Sequence, residues 1–332
     1  MRLARGSDGR KLSEDKGVRI LISGAAGFIG SHLCDRLLQD GHSVCGFDNF
    51  LAGHLRNVAH LNGHPNFQHL ELDCTTPDFP ARAEALGAFD GVFHLASLAS
   101  PVFYLRDPLA TLESGSTGSR NMLDIARRHN GRYLVTSTSE SYGDPLEHPQ
   151  KETYWGNVNP VGPRSCYDES KRYAEAITMA YHRTWGVQTT IARIFNTYGP
   201  RMALNDGRVV PAFLDQALRG APITVFGDGT QTRSFCYVSD LVDGLIRLFH
   251  SSERYPVNLG NPLELTMLEF AERIQRLTGT SSTIEFHPLP QDDPKRRRPD
   301  ITKAKQVLDW EPRVPLEDGL RETVTYFKSV RQ

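Results

Sequence analysis

VRILISGAAGFIGSHLCDRLLQDGHSVCGFD, residues 18–48, reads as strand, glycine turn, helix and second strand. Val18 to Ser23 is a short apolar run, and after it Phe28, Ile29, Leu33, Leu37 and Leu38 share one helical face. Between them Gly24, Gly27 and Gly30 form a G-x-x-G-x-x-G turn. Missing side chains let the main chain approach a ligand, and the first amides of the following helix point at a diphosphate. A tight turn that binds nothing uses the same residues, and the spacing differs from the more familiar G-x-G-x-x-G; the strand directly before it favours a ligand. Val44 to Phe47 is the next strand, and Asp48 closes it 24 residues after Gly24. A carboxylate there meets the adenosine ribose hydroxyls and repels a 2′-phosphate, which favours NAD over NADP. The competing reading is a strand-end aspartate that caps its loop. Asp73, at the end of the third expected strand, either reaches the adenine or serves its own loop.

Outward from this unit, Phe67 to Leu72, Gly91 to Leu95 and Arg132 to Thr136 read as further strands, separated by segments of crossover length. Ser141 to Arg164 is rich in Pro, Gly and Asn and reads as a long loop over the carboxyl ends of the strands. A helix from about Ser165 to Thr184 and a strand from Val187 to Arg193 resume the alternation, for at least six parallel strands with helices on both faces. After Phe195, prolines at 200, 211, 222, 256, 262, 288, 290, 294 and 299 cut the chain into shorter pieces. The expected fold is α/β, a Rossmann-like doubly wound parallel sheet with a smaller, discontinuous C-terminal substrate-binding lobe. Residues 1–16 are expected to be a flexible tail, 17–195 mainly an NAD-binding domain, and 196–332 mainly a smaller lobe with segments returning to the main domain.

At 332 residues the chain can bury a full apolar core without disulfide staples, and 39% hydrophobic residues exclude a disordered chain. Thirty-eight Lys plus Arg against 39 Asp plus Glu leave no global excess to draw a polyanion, so nucleic acid is not an expected partner. Cys34, Cys45, Cys74, Cys166 and Cys236 follow neither a zinc-ribbon spacing nor a disulfide framework. No run reaches the roughly 18 apolar residues of a membrane span, and the charged start lacks a signal-peptide centre. The expectation is a cytoplasmic protein in a reducing compartment, with no membrane partner.

Tyr167 and Lys171 lie four apart at the start of an expected helix, so they share a face, and an ammonium there can lower the phenol's pKa. Y-x-x-x-K is common as an ordinary helix pair. Here it follows the glycine turn by about 140 residues, and Thr138, Ser139 and Glu140 stand just past a strand end. With YWGNVNPVGPRSCYDESKRYAE, ARIFNTYGPRM, FGDGTQTRSFCYVSDLVDGL and LPQDDPKRRRPD, the chain resembles, over about Arg19 to Phe327, the extended short-chain dehydrogenase/reductases, the NAD-dependent nucleotide-sugar epimerase/dehydratase superfamily. Within it the likeness is to the UDP-glucuronate decarboxylase family.

The resemblance implies that Thr138 hydrogen-bonds the sugar 4-hydroxyl, Tyr167 removes its proton, Lys171 holds the nicotinamide ribose, and Ser139 and Glu140 face C5 and C6. It assigns Phe28, Ile29, Asn49, Leu95 and Ala96 to the cofactor beside the glycines, Asp48 and Asp73. Asn196, Arg201, Arg208, Val225, Gly227, Arg233, Tyr237 and Arg298 go to the UDP-sugar substrate; otherwise Lys295 to Arg298 reads as a solvated basic run. The implied chemistry oxidises C4, so that the C6 carboxylate becomes β to a ketone. Carbon dioxide leaves with its electrons delocalised into the ketone, and C4 is re-reduced, giving UDP-xylose with no metal required. The resemblance also implies a homodimer through helices at about Asp107–His129 and Ser165–Thr184.

A 4,6-dehydratase is disfavoured because Ser139 stands where its aspartic acid proton donor is typical. A 4-epimerase is disfavoured by Glu140. A nucleotide-sugar-binding protein without turnover keeps the glycine turn and the arginines but has no use for the complete Thr138, Tyr167 and Lys171 set. Four positions depart from the family pattern: Gly115 replaces an asparagine that kinks a central helix, Ser97 and Leu98 replace Cys and Pro, and Ser141 replaces a valine, which costs packing unless its hydroxyl finds a partner.

Overall fold

The computed structural model describes residues 17–204, 206–289 and 296–331. The expected tail at 1–16, and Pro290, Pro294 and Lys295, lie outside the described residues.

The chain begins β1 (Arg19–Ser23), α1 (Phe28–Gln39), β2 (Ser43–Asp48), β3 (Phe67–Glu71), α2 (Phe79–Glu84) and β4 (Gly91–His94). Then come α3 (Pro101–Arg106), α4 (Pro108–Glu113), a π-helical turn at Ser114–Gly118, α5 (Ser119–Arg128), β5 (Arg132–Thr138), α6 (Ser165–Trp185) and β6 (Thr189–Ile194). The remainder supplies β7 (Thr197–Tyr198), α7 (Val209–Arg219), β8 (Ile223–Phe226), β9 (Thr232–Ser234), β10 (Cys236–Tyr237), α8 (Val238–His250) and β11 (Val257–Leu259). It closes with β12 (Glu264–Thr266), α9 (Met267–Thr278), β13 (Ile284–His287), β14 (Arg296–Arg297), α10 (Thr302–Leu308) and α11 (Leu316–Val330).

Among the described residues the main sheet has seven strands in the order β11-β6-β5-β4-β1-β2-β3, and every pairing is parallel. Its central strands are apolar at consecutive positions because both faces are covered. Ile20, Ile22, Phe93 and Leu134 point to the side packed by α1, α8 and α10, through residues such as Leu33, Leu37, Leu241, Leu245 and Ala304. Leu21, Val92, Tyr133 and Val135 point to the other side, against Phe79, Met122, Ile125 and Ala174 of α2, α5 and α6. The chain returns from the small lobe to add β11 at the edge beside β6. The lobe has its own core, where Phe213 and Leu214 of α7, Phe270 and Ile274 of α9, and Leu320 and Phe327 of α11 close over Ile223 and Val225.

Two backbone approaches hold the functional edge of the sheet. Gly24 has φ +75°, and a Cβ there would lie 2.9 Å from the Ala96 backbone nitrogen, so the turn after β1 rests directly on the chain leaving β4. Gly115 sits in the π-helical turn, where a Cβ would lie 2.6 Å from both the Ser170 Cβ and the Ser170 carbonyl oxygen. The residue that replaces the expected asparagine thus lets the α4–α5 helix touch α6 between Tyr167 and Lys171. Ser114 in the same turn donates from Oγ to the Ala96 carbonyl at 2.9 Å, and its own carbonyl lies 3.3 Å from His94 Nε2.

Gly24→Ala is expected to destabilise the protein by about 1–3 kcal/mol, because an L-residue is strained at that φ and its Cβ meets backbone that cannot retreat. An unchanged urea midpoint in the variant would show that the turn has slack.

Candidate active site

The loops and helix starts at the carboxyl edge of the sheet, together with the small lobe, enclose a cavity of about 980 Å³. One end is built by the first glycine turn. Gly24, Gly27 and Gly30 line it, and α1 begins at Phe28 with no side-chain cap, so its first amides are not covered by a capping side chain. A Cβ at Gly30 would collide with the Gly24 carbonyl, so the helix seats against the turn only with glycine there. Asp48 accepts from the backbone N–H groups of Ala26 at 3.1 Å and Phe50 at 2.9 Å and also lines the cavity, so it both caps its loop and faces the ligand space. Asn49 donates to Asp73 at 2.8 Å, and Thr75 holds the other Asp73 oxygen from its N–H at 2.8 Å and its hydroxyl at 2.7 Å. Asn49, Asp73, Leu95 and Ala96 complete this wall, with Ser97 and Leu98 beyond them. An uncapped helix start, a glycine cradle and a strand-end carboxylate on one continuous cavity fit the diphosphate and adenosine ribose of a dinucleotide.

Deeper in, β5 ends in Thr138, whose Oγ1 accepts from the Glu140 N–H at 3.2 Å and so opens the 3-10 turn Ser139–Tyr142. The first turn of α6 brings Tyr167 and Lys171 to the same wall, both buried. Lys171 donates from Nζ to the Thr136 carbonyl at 2.8 Å, and its nitrogen lies 5.9 Å from the centre of the Tyr167 ring. Burial pulls the lysine down to about 8. It pushes the Tyr167 phenol up to about 12, with a hydrogen bond from Thr138 acting against it and Glu140 adding to the rise. The expected depression of the phenol by the neighbouring ammonium is therefore not what the chain produces by itself, because desolvation is the larger effect. Tyr104 stacks parallel on the Tyr167 ring, with centroids 5.3 Å apart, and fixes its plane.

Glu140 is the opposite case. Burial raises its carboxyl, but the Arg297 and Arg164 guanidiniums more than compensate and hold it at about 2. Arg297 binds both carboxylate oxygens, Nη2 at 3.0 Å from Oε2 and Nη1 against Oε1, and Arg164 Nη2 lies 2.8 Å from Oε2. An acid this strong is ionised throughout the physiological range. One carboxylate between two guanidiniums leaves the cluster with a net positive charge.

The structure places the expected substrate residues unevenly. Asn196, Arg201, Arg208 and Arg233 line the cavity. Arg208 is turned toward Asp206 and lies over the Phe28 ring, while Arg201 pairs with Asp35 of α1 at 2.8 Å. Val225, Gly227, Tyr237 and Arg298 are not among the residues that line the cavity. On β8, Ile223 and Val225 point into the lobe core, so Thr224 and Phe226 take the cavity side. Gly227 lies against Leu289, and Tyr237 packs on Tyr198 with ring centres 5.5 Å apart. In the basic run Arg297 is buried against Glu140, while the Arg298 backbone N–H is taken up by Gln150.

Arg164 and Arg297 were missed in the sequence reading. The available signal was the buried acid itself, since Glu140 at the end of a central strand requires cationic partners. Ser141, the fourth departure, has its partner: its hydroxyl lies 3.3 Å from Ser137 Oγ, which donates to Glu175 at 2.5 Å. Among the described residues no group of three or more His, Cys, Asp or Glu could hold a metal ion, and no helix is long and apolar enough to cross a membrane.

Residues 20–260 match the model of the NAD dependent epimerase/dehydratase family. UDP-glucuronic acid decarboxylase 1 of Danio rerio is 54% identical over 316 residues, covering 95% of this chain and 74% of that protein. Among solved structures, the UDP-glucose 4-epimerase of Thermotoga maritima, determined with UDP-glucose, superposes with a TM-score of 0.87 at 30% identity over 95% of this chain and 100% of its own. The UDP-glucuronic acid 4-epimerase of Bacillus cereus, in complex with UDP-glucuronic acid and NAD, superposes with a TM-score of 0.83 at 28% identity over 94% of this chain and 99% of its own.

Because the Glu140 carboxyl is depressed in the folded protein, its pairing stabilises the fold above the ordinary carboxylate range. That stabilisation, on the order of 3 kcal/mol, is lost as pH falls from about 4.5 toward about 2. Glu140→Gln is expected to flatten the decline of unfolding free energy across this window. Parallel pH profiles for variant and wild type in urea titrations would contradict the pairing.

Proposed function

Because this chain belongs to the NAD dependent epimerase/dehydratase family, and within it to the UDP-glucuronic acid decarboxylases, we propose that it converts UDP-glucuronate to UDP-xylose and carbon dioxide with bound, regenerated NAD. The observation that carries this reading is the juxtaposition, in one cavity, of the Thr138, Tyr167 and Lys171 set with a cationic cluster at Glu140. A sugar carboxylate finds positive charge there while its 4-hydroxyl faces the phenol. When bound, NAD supplies the hydride acceptor and later donor for C4, and in its oxidised form a positive charge beside the phenol.

Gly24, Gly27, Gly30 and the first amides of α1, at Phe28 and Ile29, hold the cofactor diphosphate. Asp48 holds the adenosine ribose with Asn49 and Asp73 near the adenine, and Lys171 holds the nicotinamide ribose. Tyr167 takes the proton of the sugar 4-hydroxyl while Thr138 hydrogen-bonds the same oxygen. Once C4 is a ketone, the C5–C6 bond breaks with its electron pair delocalised onto the C4 oxygen, where Tyr167 and Thr138 stabilise the enolate. A proton is then taken up at C5. Glu140 is too strong an acid to donate that proton; its role is to fix Arg164 and Arg297, which with Ser139 receive and orient the C6 carboxylate. Asn196, Arg208 and Arg233 serve the nucleotide diphosphate. Residues 17–195 act mainly as the NAD platform and 196–332 mainly as the nucleotide-sugar lobe.

The protein acts as a homodimer through α4–α6, where Leu105, Leu109, Leu112, Tyr173 and Trp185 are exposed large apolar side chains on or beside these helices. A monomer mass at working concentration would contradict that. All five cysteines are buried and unpaired, which supports a reducing, cytoplasmic setting.

Incubation with UDP-glucuronate and NAD is expected to release carbon dioxide and a UDP-pentose. A product that keeps its carboxylate with C4 inverted would instead indicate a 4-epimerase. Tyr167→Phe is expected to lower kcat by about 10²–10⁴-fold with UDP-sugar affinity retained; near-normal carbon dioxide release by the variant would remove the tyrosine from the mechanism.

A further inference from the structure

We propose that Gln150 and Asn258, two buried amides outside the cavity wall, are positioning residues that set the Glu140–Arg297 pair for the sugar carboxylate. The proposal rests on the carboxylate-binding role given to that pair above. Both residues are fully buried, and neither lines the cavity. Gln150 clasps the strap that follows β14. Its backbone N–H donates to the Arg298 carbonyl at 2.9 Å, its Oε1 accepts from the Arg298 N–H at 2.8 Å, and its carbonyl accepts from the Asp300 N–H at 2.8 Å. Its Nε2 donates to the Glu147 carbonyl at 2.9 Å.

Asn258, in β11, joins this clasp to the other half of the ion pair. Its Nδ2 donates to the Gln150 carbonyl at 3.0 Å and to the Asp300 carbonyl at 3.1 Å, and its Oδ1 accepts from the Tyr142 hydroxyl at 2.7 Å. Tyr142 ends the 3-10 turn that carries Glu140, and its ring is held under the Arg193 guanidinium at 4.8 Å. Arg193 is in turn locked onto Glu175 at 2.8 and 2.7 Å.

The donor and acceptor atoms of both side-chain amides are therefore engaged. Three remote segments meet on them: the turn with Glu140, the loop around residue 150, and the strap with Arg297. Arg297 is one residue from the backbone that Gln150 grips, and Glu140 is two residues from Tyr142. An ion pair between flexible side chains leaves their backbones free to drift, and orientation of a planar carboxylate tolerates little drift. β14 is only two residues long, so its pairing with β9 alone is a weak register for Arg297. The amide pair anchors that backbone from the main-sheet side and couples it to the turn opposite.

The test compares Gln150→Met and Asn258→Leu, which keep volume and remove the amides, with wild type. Calorimetry measures affinity for UDP-glucuronate and for UDP-glucose, which has no carboxylate, and turnover is followed in parallel. UDP-glucuronate affinity is expected to fall about tenfold or more, with UDP-glucose affinity unchanged within about twofold. Parallel weakening of both ligands, or loss of thermal stability with both affinities unchanged, overturns the proposal in favour of a purely structural role.

Tyr142→Phe removes one hydroxyl and leaves the core filled. It is expected to weaken UDP-glucuronate selectively by about threefold, and no selective change in it overturns the proposal even if the amide variants fail to fold. Arg297→Gln separates the two layers of argument. If it abolishes the preference for UDP-glucuronate while the amide variants keep it, the positioning role fails and the function stands. If it leaves that preference intact, the carboxylate role given to the pair fails, and the proposal with it.

Discussion

Parallel strands cannot be joined by hairpins, and each must be followed by a crossover that carries the chain back to the opposite edge of the sheet. In this chain that constraint sends β1, β2, β4, β5 and β6 out at one edge, and it is there that they deliver Gly24, Asp48, Leu95, Thr138 and Asn196. The sheet order reverses between β1 and β4, so the crossovers on either side open away from each other and leave a crevice at that point. Gly24 and Gly115 then set how tightly it closes, since each stands where a Cβ would meet neighbouring backbone. The small lobe covers the crevice and turns it into a cavity.

Once closed, the cavity works by controlling charge through burial. Desolvation pushes Tyr167 up, pulls Lys171 down and drives Asp168 up to about 7, where Glu140 adds to the rise. Each of these groups is moved toward its neutral form. Glu140 is carried the other way, because two guanidiniums outweigh its burial. The site is thus divided into a phenol and amine poised to respond to a charged ligand and an ion cluster that stays charged throughout.

Strand and helix positions were legible because a sheet buried on both faces is written as short, nearly continuous apolar runs. The run at Val18 to Ser23 became Arg19–Ser23, Gly91 to Leu95 became Gly91–His94, and the helix placed at Ser165 to Thr184 became Ser165–Trp185. Residues with chemistry at strand ends were legible for the same reason, since a polar group that follows a buried run must emerge at the edge. The lobe was harder. ITVF on β8 carries no alternation that tells its inward face from its outward one, and only the fold turns Val225 to the lobe core and Thr224 and Phe226 to the cavity. In KRRRPD the arginines are equivalent by sequence, and only pairing with β9 and Gln150 decides that Arg297 turns inward.

The sequence by itself determined the parallel sheet, the glycine turn and the tyrosine–lysine pair, because each is local: periodicity, a glycine spacing, one turn of helix. The tertiary structure alone decided the charge state of Glu140 and Tyr167, the choice of Arg297, the hydroxyl partner of Ser141 and the clasp of Gln150 and Asn258. Those depend on which segments, more than a hundred residues apart in the cases of Glu140 with Arg297 and Gln150 with Arg298, share one low-dielectric space.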